Sequence, residues 1–594
     1  MTMTTLKSPL MRCFAGAVLL TLAAGAHAEI RETPLAPVRI VWMSDTTGTD
    51  ISNAESLLKP FSGQISVNDA ANGARLRSRP GRTASLLLDF GKEIYGGLKL
   101  YGGMPQSKAP KCFRVCLGES VTEAMSSVDI DDNPQNPTNE HSLRDFIVNV
   151  PWLGSVECGK SGFRFARIDL LDTDEPFDLR YVEARSFLRD DPEVGSFECS
   201  DSRLNDIWET GAYTVKLNMQ DYVWDGIKRD RLVWLGDMHP EVMTIASVWG
   251  EMPVVHKTLD YAVADTPLPG WMNGMCSYSL WWLIIQRDLY LYQGNLDYLK
   301  SQRDYIRGLV GQIDADVDKD GRERLDGQRF LDWPTSENPA VIGAGLQSMT
   351  YMAMRAAADI ATYLGDADML ACAEGCLRRM DKVKIKTHNS KQAAALGIIA
   401  GRSGNAGADV DVIKKGGANG FSTFYGYYML EALAATGHKD EAIKLISDYW
   451  GAMLDLGATT FWEDLKYSDV ANAAPIDNFV PAHKYDIHAG GGAYCYKGLR
   501  LSLCHGWASG PTAWLSRHVL GVRPLEPGCA TIEINPYLGD LEWAKGSFPT
   551  PNGPVNIEIT RQADGSPLCH VKAPRGIKVV NRADGDVLTY EPNP

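Results

Sequence analysis

The spacing of hydrophobic and polar positions changes rhythm twice along this chain. Between about residues 30 and 195 the apolar positions come in short runs, at 85–91, 97–101 and 113–117. Residues 163–169 alternate in part with period two, as a strand with one buried face should. Glycine and proline punctuate the runs, which predicts a β-sandwich. Near Ser200 the period lengthens. Residues 280–292, 347–364, 424–436 and 439–454 are each apolar along one side, separated by turns such as Gly294-Asn295 and Gly365-Asp366. Paired helices with little strand alternation predict an (α/α) barrel rather than a bundle. No fixed-length repeat is visible, which argues against a solenoid. From Gly521 the short period returns at 530–534, 555–559 and 569–572, with turns at Pro551-Asn552-Gly553 and Ala563-Asp564-Gly565. The expected organisation is an N-terminal β-sandwich over 29–195, a helical domain over 196–520 and a C-terminal β-sandwich over 521–594.

The first residues follow another pattern. Lys7 and Arg12 precede an apolar stretch over 14–24, and Ala26-His27-Ala28 fits a small-x-small cleavage site. This predicts a signal peptide over 1–28, a mature chain from Glu29, and a periplasmic or secreted location. The stretch is short for a bilayer span, and no later segment reads as transmembrane, so no membrane attachment is expected after cleavage. The 594 residues are 44% hydrophobic and 22% charged, ordinary for a globular chain. A net charge of −15 makes a nucleic-acid partner unexpected. Twelve cysteines become an odd number once Cys13 leaves, which predicts at least one thiol unpaired within the chain. The close pairs Cys112/Cys116 and Cys372/Cys376 have no zinc-site counterpart. Asp314, Asp316, Asp318 and Asp320 before Gly321 mimic the front of a calcium loop. Counting from Asp316, Gly327 stands where the bidentate glutamate belongs, so a polar interhelical loop is the expectation. No metal or other cofactor is expected.

The densest chemistry lies between Asp225 and Asp237, where Asp225, Asp230, Asp237, Arg229, Arg231 and Trp234 fall within thirteen residues. Glu463 follows Trp462 far downstream. Two carboxylates, each near a tryptophan, suit glycoside hydrolysis: one protonates the leaving oxygen, the other activates water, and indoles hold the apolar sugar face. A helix over 230–241 would place Asp230, Trp234, Asp237 and Glu241 on one face. The competing reading is a solvated face whose acids pair with Lys228, Arg229 and Arg231. Asp332-Trp333 could grip a sugar, or be a capping aspartate beside a buried indole. His505, within Ser502-Leu503-Cys504-His505-Gly506-Trp507, carries little weight alone.

At these residues the chain resembles the bacterial α-L-rhamnosidases of glycoside hydrolase family 78, six-hairpin glycosidases. Leu88-Asp89-Phe90-Gly91 with Leu117-Gly118-Glu119-Ser120 looks like the family's accessory β-sandwich. Phe197 through Trp208 looks like the entry to its (α/α)6 barrel, and Gly521-Val522-Arg523-Pro524 through Phe548 like its C-terminal β domain. The family's acidic motif is Asp-Cys-Pro-x-Arg, an acid, then Gly-Trp-x-Gly-Asp. Asp225, Arg229, Trp234, Gly236 and Asp237 match it. Gly226-Ile227 replace Cys-Pro, Val233 replaces a glycine, and Asp230 stands where the acid is normally glutamate. The resemblance implies an inverting exo-glycosidase releasing terminal L-rhamnose from an oligosaccharide, polysaccharide or glycoside. Asp230, or else Glu241, would be the general acid, and Glu463 the general base. Asp225, Arg229, Trp234, Asp237, Asp332, Trp333, Trp462 and His505 would bind the sugar. Two alternatives stay open: the same fold acting on a uronide or fucoside, and a glycan-binding protein without catalysis.

Overall fold

The computed structural model describes residues 29–67, 73–127, 144–492, 498–582 and 588–592; the expected signal peptide, 1–28, lies outside them. The first region forms a nine-stranded sheet dominated by Ala84–Gly102, Lys111–Gly118, Ser155–Leu170 and Phe177–Arg189. The runs at 85–91 and 97–101 belong to one continuous strand. Its register against Ser155–Leu170 shifts between Asp89 and Ile94, where Gly91 takes a φ of 84°. A bulge there absorbs the extra residues and hides the continuity from a period-two reading. Leu86, Leu88, Leu98 and Leu100 face one core, while Leu87 packs on the other side with Phe165 and the short helix Val121–Met125. Burial of both faces explains why the alternation is only partial.

The helical region follows its periodicity closely. Cys276–Gln293, Pro339–Leu364, Gly426–Ala435 and Lys439–Asp455 stand where the four apolar stripes fall. Pro339–Leu364 starts two turns before its stripe, set by Pro339 in the first turn and the Asn338 side chain accepting from Val341 N. Ser202–Asn218 packs on Met238–Val248, that on Cys276–Gln293, and that on Pro339–Leu364. The contacts continue through Lys391–Ile399, Gly426–Ala435 and Lys439–Asp455 back to Ser202–Asn218.

The helix that would align Asp230, Trp234, Asp237 and Glu241 over 230–241 does not form: helix begins only at Met238. Asp230 and Arg231 both have left-handed φ, 53° and 54°, which a right-handed helix excludes. The acids of this stretch therefore meet through an irregular loop, not along a helix face.

At the C-terminal end, Trp543–Phe548, Val555–Arg561 and Pro567–Ala573 belong to a five-stranded sheet whose outer strand is Ser196–Cys199, the segment that leads into the first helix. One continuous apolar core joins this sheet to the helices.

All ten described cysteines are free thiols. Among the described residues no helix is long and apolar enough to cross a membrane. In the calcium-like loop, Asp318 Oδ1 accepts from the amides of Asp320 and Arg322, and Asp314 pairs with Arg379.

Candidate active site

Loops at the ends of these helices enclose a cavity of about 200 Å³. Four carboxylic acids line it, Asp225, Asp230, Asp237 and Glu463, together with His505. Trp234, Tyr278, Phe330, Trp333 and Trp507 supply aromatic walls, and Met275 and Gln328 complete it. The volume is below the roughly 300–1,000 Å³ of pockets for drug-sized molecules and suits one small ligand with a polar and an apolar side.

The loop after Ser202–Asn218 closes on itself. Asp225 N donates to Leu232 O at 3.1 Å, and Leu232 N donates to Asp225 Oδ1 at 2.9 Å. The reversal between them is the left-handed pair Asp230-Arg231, a conformation that costs roughly 1–2 kcal/mol per residue. Arg231 Nη1 holds one side of it by donating to Lys160 O at 2.9 Å. Arg229 holds the other. Its Nη1 donates to Asp230 Oδ2 at 2.8 Å, its Nη2 to both Glu463 oxygens at 2.6 Å, and its Nε to Arg500 O at 3.0 Å. One buried guanidinium thus joins Asp230 to Glu463, two acids from distant parts of the sequence.

The carboxyls sit in different electrostatic environments. Burial would raise the pKa of Glu463, but Arg229, His505 and the Ser502 amide, 3.1 Å from Oε2, outweigh it and hold Glu463 below its ordinary value. Asp225 is pushed up to about 8, first by burial and then by Asp230 and Asp237, against the pull of His505. Burial also raises Asp237, whose Oδ2 lies 3.4 Å from His505 Nε2. Burial disfavours a charged His505, but Glu463, Asp237 and Asp225 together raise its pKa. A fixed anion beside carboxyls that favour the neutral form is the division of labour that acid–base chemistry uses.

Glu241 lies behind this cluster, fully buried, with neither carboxyl oxygen hydrogen-bonded. Burial, then Asp237 and Asp225, raise its pKa well above the ordinary value. It is absent from the cavity lining and is pressed against Gly506, where a Cβ would come within 2.2 Å of its carboxyl carbon.

Of the ten residues expected to catalyse or bind, Asp225, Asp230, Trp234, Asp237, Trp333, Glu463 and His505 meet at the cavity, and Arg229 links two of them from behind. Asp332 and Trp462 do not reach the lining. Asp332 is buried against Thr335, Gln392 and Ser422, with burial raising its pKa to about 6. Trp462 is buried in the helical core. The backbone turns at each pair, so only one member of Asp332-Trp333 and of Trp462-Glu463 faces the cavity. Tyr278, Phe330, Trp507, Met275 and Gln328 were not singled out. Trp507 lay within the His505 segment; its Nε1 donates to Glu463 O at 3.0 Å and its ring stacks on Phe424. Tyr278 is one more large apolar side chain in a helix that is apolar nearly all round.

The positions that depart from the family motif make contacts to other parts of the chain. Gly226 bridges to His505, and Ile227 is buried against Tyr95, Leu217 and Cys504, with its carbonyl accepting from Gly162 N at 2.9 Å. Lys228 is wholly buried. Its Nζ donates to Leu499 O at 2.9 Å and Leu501 O at 2.7 Å, and lies 3.0 Å from Glu119 and 3.3 Å from Glu123. Glu119 accepts from Leu503 N at 2.6 Å. Two acids of the N-terminal region therefore grip residues 499–503, the strand of chain that supplies Arg500 O to Arg229 and Ser502 N to Glu463. Glu119, Glu123 and His488 are spaced like metal ligands, but the Lys228 ammonium already sits against both carboxylates.

Residues 192–379 match the bacterial alpha-L-rhamnosidase 6 hairpin glycosidase domain. That match takes in the first part of the helical region and less than half of the chain. An α-L-rhamnosidase of Alteromonas sp. (strain LOR) is 22% identical over 574 residues, which is 88% of this chain and 58% of that protein. The crystal structure of a GH78 family rhamnosidase of Bacillus sp. GL1 superposes with a TM-score of 0.73 at 20% identity, over 91% of this chain and 56% of the other. A rhamnosidase from Klebsiella oxytoca with rhamnose bound superposes with a TM-score of 0.64 at 20% identity, over 83% of this chain and 96% of the other. The chain thus spans little more than half the length of the first two relatives and nearly all of the third. At these identities the likeness is one of fold: a mixed, multidomain chain with a six-hairpin helical domain between β regions.

Proposed function

We propose that this chain is an exo-glycosidase that hydrolyses terminal α-L-rhamnosides with inversion. The observation that carries the reading is the pairing of Asp230 and Glu463 on the two Nη atoms of Arg229 at one small, aromatic-walled cavity. Two short bonds through one guanidinium keep both carboxyls at one cavity; inversion, which uses carboxyls roughly 6.5–9.5 Å apart to admit a water, is what the family resemblance implies. Glu463, held ionised, takes a proton from the water that attacks the anomeric carbon. Asp230, with its side chain 20% exposed at the cavity mouth, gives its proton to the departing glycosidic oxygen. The two acids exchange protonation states in the step and reset through solvent. Asp225, neutral at pH 7, can donate to a sugar hydroxyl, and Asp237, beside His505, can accept from another. The rings of Trp234, Phe330, Trp333 and Trp507 provide surface for the apolar sugar face and the 6-methyl group.

In this reading the closed cycle of helix contacts is an (α/α)6 catalytic barrel over 196–520, flanked by β-sandwich domains over 29–195 and 521–594. The protein acts in the periplasm or outside the cell after removal of 1–28, on a rhamnose-containing glycan or glycoside.

The test is a panel of aryl glycosides. Hydrolysis of the α-L-rhamnoside is expected; turnover only of a fucoside or uronide replaces the sugar, and glycan binding without turnover replaces the enzyme by a binding protein. Two variants separate the candidate acids. Asp230→Asn should lower kcat by about 10²–10⁴-fold on a substrate with a poor leaving group, whereas Glu241→Gln should stay within a few-fold of wild type. The reverse pattern would move the acid to Glu241.

A further inference from the structure

Beside the sugar cavity lies a second, larger cleft of about 700 Å³ that the proposed chemistry does not use. Arg322, Arg324, Arg329, Lys384 and Lys386 line it, against a single acid, Glu323. This concentration of positive charge stands out in a chain of net charge −15. Two of the five cations are committed. Arg329 forms a bidentate pair with Glu323 at 2.9 and 2.5 Å, and Arg324 Nε lies 3.2 Å from Asp318. Arg322, Lys384 and Lys386 make no ion pair among the described residues, so the cleft keeps a surplus of three positive charges. The N-terminal turns of Pro339–Leu364 form another wall through Ala340, Gly343 and Ala344. These small side chains leave the positive end of a long helix close to whatever occupies the cleft. At Gly343 the nearest atom to an added Cβ is Arg329 Nη2 at 3.9 Å, so the wall is open there.

The two spaces share a boundary. Arg329 lines the cleft, while its chain neighbours Gln328 and Phe330 line the sugar cavity. Residues 328–330 thus form the segment between the two spaces, and the further units of a glycan held in the cavity would pass this segment to reach the cleft. All five cations are exposed to solvent on this open cleft, and an anionic occupant would relieve what repulsion remains among them.

We propose that this cleft is a subsite for the anionic group, carboxylate or sulfate ester, of an acidic glycan that carries the terminal sugar. The inference rests on the reading of the adjoining cavity as an exo-glycosidase site. Arg322 supplies planar, two-pronged recognition of the oxyanion, and Lys384 and Lys386 supply point charges.

The test compares rhamnosyl-uronate, rhamnosyl-sulfate and uncharged rhamnosyl oligosaccharides with an aryl α-L-rhamnoside, for wild type and for Arg322→Glu and Lys384→Glu/Lys386→Glu. Wild type should prefer at least one acidic substrate over the uncharged one in kcat/KM, and the preference should shrink with added salt. The two acidic arms show whether carboxylate or sulfate is the preferred group. The exposed-charge variants should lose about tenfold or more on that substrate and keep wild-type rates on the aryl rhamnoside. Equal treatment of acidic and uncharged substrates by wild type, or no change in the variants, overturns the proposal while leaving the hydrolase reading intact. If no rhamnoside is turned over, that reading fails instead. Titration calorimetry with an oligouronate and a sulfated oligosaccharide then decides the cleft: binding of one by wild type and its loss in Lys384→Glu/Lys386→Glu supports it, and no binding of either overturns it.

Discussion

Glu463→Gln should lower kcat on an aryl α-L-rhamnoside by about 10²–10⁴-fold with little change in KM. The amide keeps the shape of the side chain but gives up one of the two acceptors that face Arg229, and it cannot take a proton from water. The wild-type pH profile carries the same information. Glu463 works as an anion, and its pKa is held below the ordinary value, so activity is lost only as pH falls through that lowered value. Asp225 stays protonated up to about 8. Above that it adds a negative charge to a cavity that already holds ionised Glu463, and activity should fall as pH rises through this region. The limbs belong to the coupled set of acids rather than to single residues. In Glu463→Gln the acid limb should disappear from the residual activity. Near-wild-type turnover, or an unchanged acid limb, would remove Glu463 as the base.

The second large effect concerns a residue that never touches the cavity. Lys228→Met removes the ammonium that compensates Glu119 and Glu123, both wholly buried, and leaves Glu93 beside them in the same acidic neighbourhood. Breaking a buried pair from one side costs about 3–5 kcal/mol, and a denaturant titration should show a correspondingly lower midpoint. The direction with pH follows from the shifts. Burial raises Glu119 to about 7, while Glu123 is held below its ordinary value, against burial, chiefly by Lys228 and then Arg144. Without Lys228 both carboxyls favour the neutral form, so the deficit should be largest at alkaline pH and shrink as pH falls and they protonate. Loss of the grip on 499–503 should also reduce kcat, because Arg500 O and Ser502 N help fix Arg229 and Glu463. A midpoint equal to wild type across pH would show that the cluster does not hold the loop.

What was legible beforehand follows the range of the interactions concerned. The stripe at 439–454 foretold Lys439–Asp455 because an amphipathic helix writes its burial into consecutive residues. The stripe at 347–364 lost the first turns of Pro339–Leu364, where Ala340, Gly343 and Ala344 give little hydrophobic contrast. The loop that gathers Asp225, Asp230 and Asp237 could not be read as a loop. Charge and tryptophan spacing looked helical, and only the left-handed turn at Asp230-Arg231 shows otherwise. Within local pairs the facing was also hidden: Trp333 meets the cavity while Asp332 turns into the core, and Glu463 does so while Trp462 turns away. Lys228 read as a surface charge because its partners, Glu119, Glu123 and the carbonyls of Leu499 and Leu501, come from distant parts of the chain. The cationic cleft went unnoticed for the same reason: 322–329 and 384–386 converge only through the packing of Pro339–Leu364 on its neighbours.

The account stands or falls on a single displacement at the anomeric carbon, with Asp230 and Glu463 on opposite sides of one sugar. Proton NMR of an aryl α-L-rhamnoside during the first minutes of hydrolysis reads this directly, before mutarotation mixes the anomers. First appearance of β-L-rhamnose is the predicted result. First appearance of the α anomer, or no release of rhamnose at all, would contradict it.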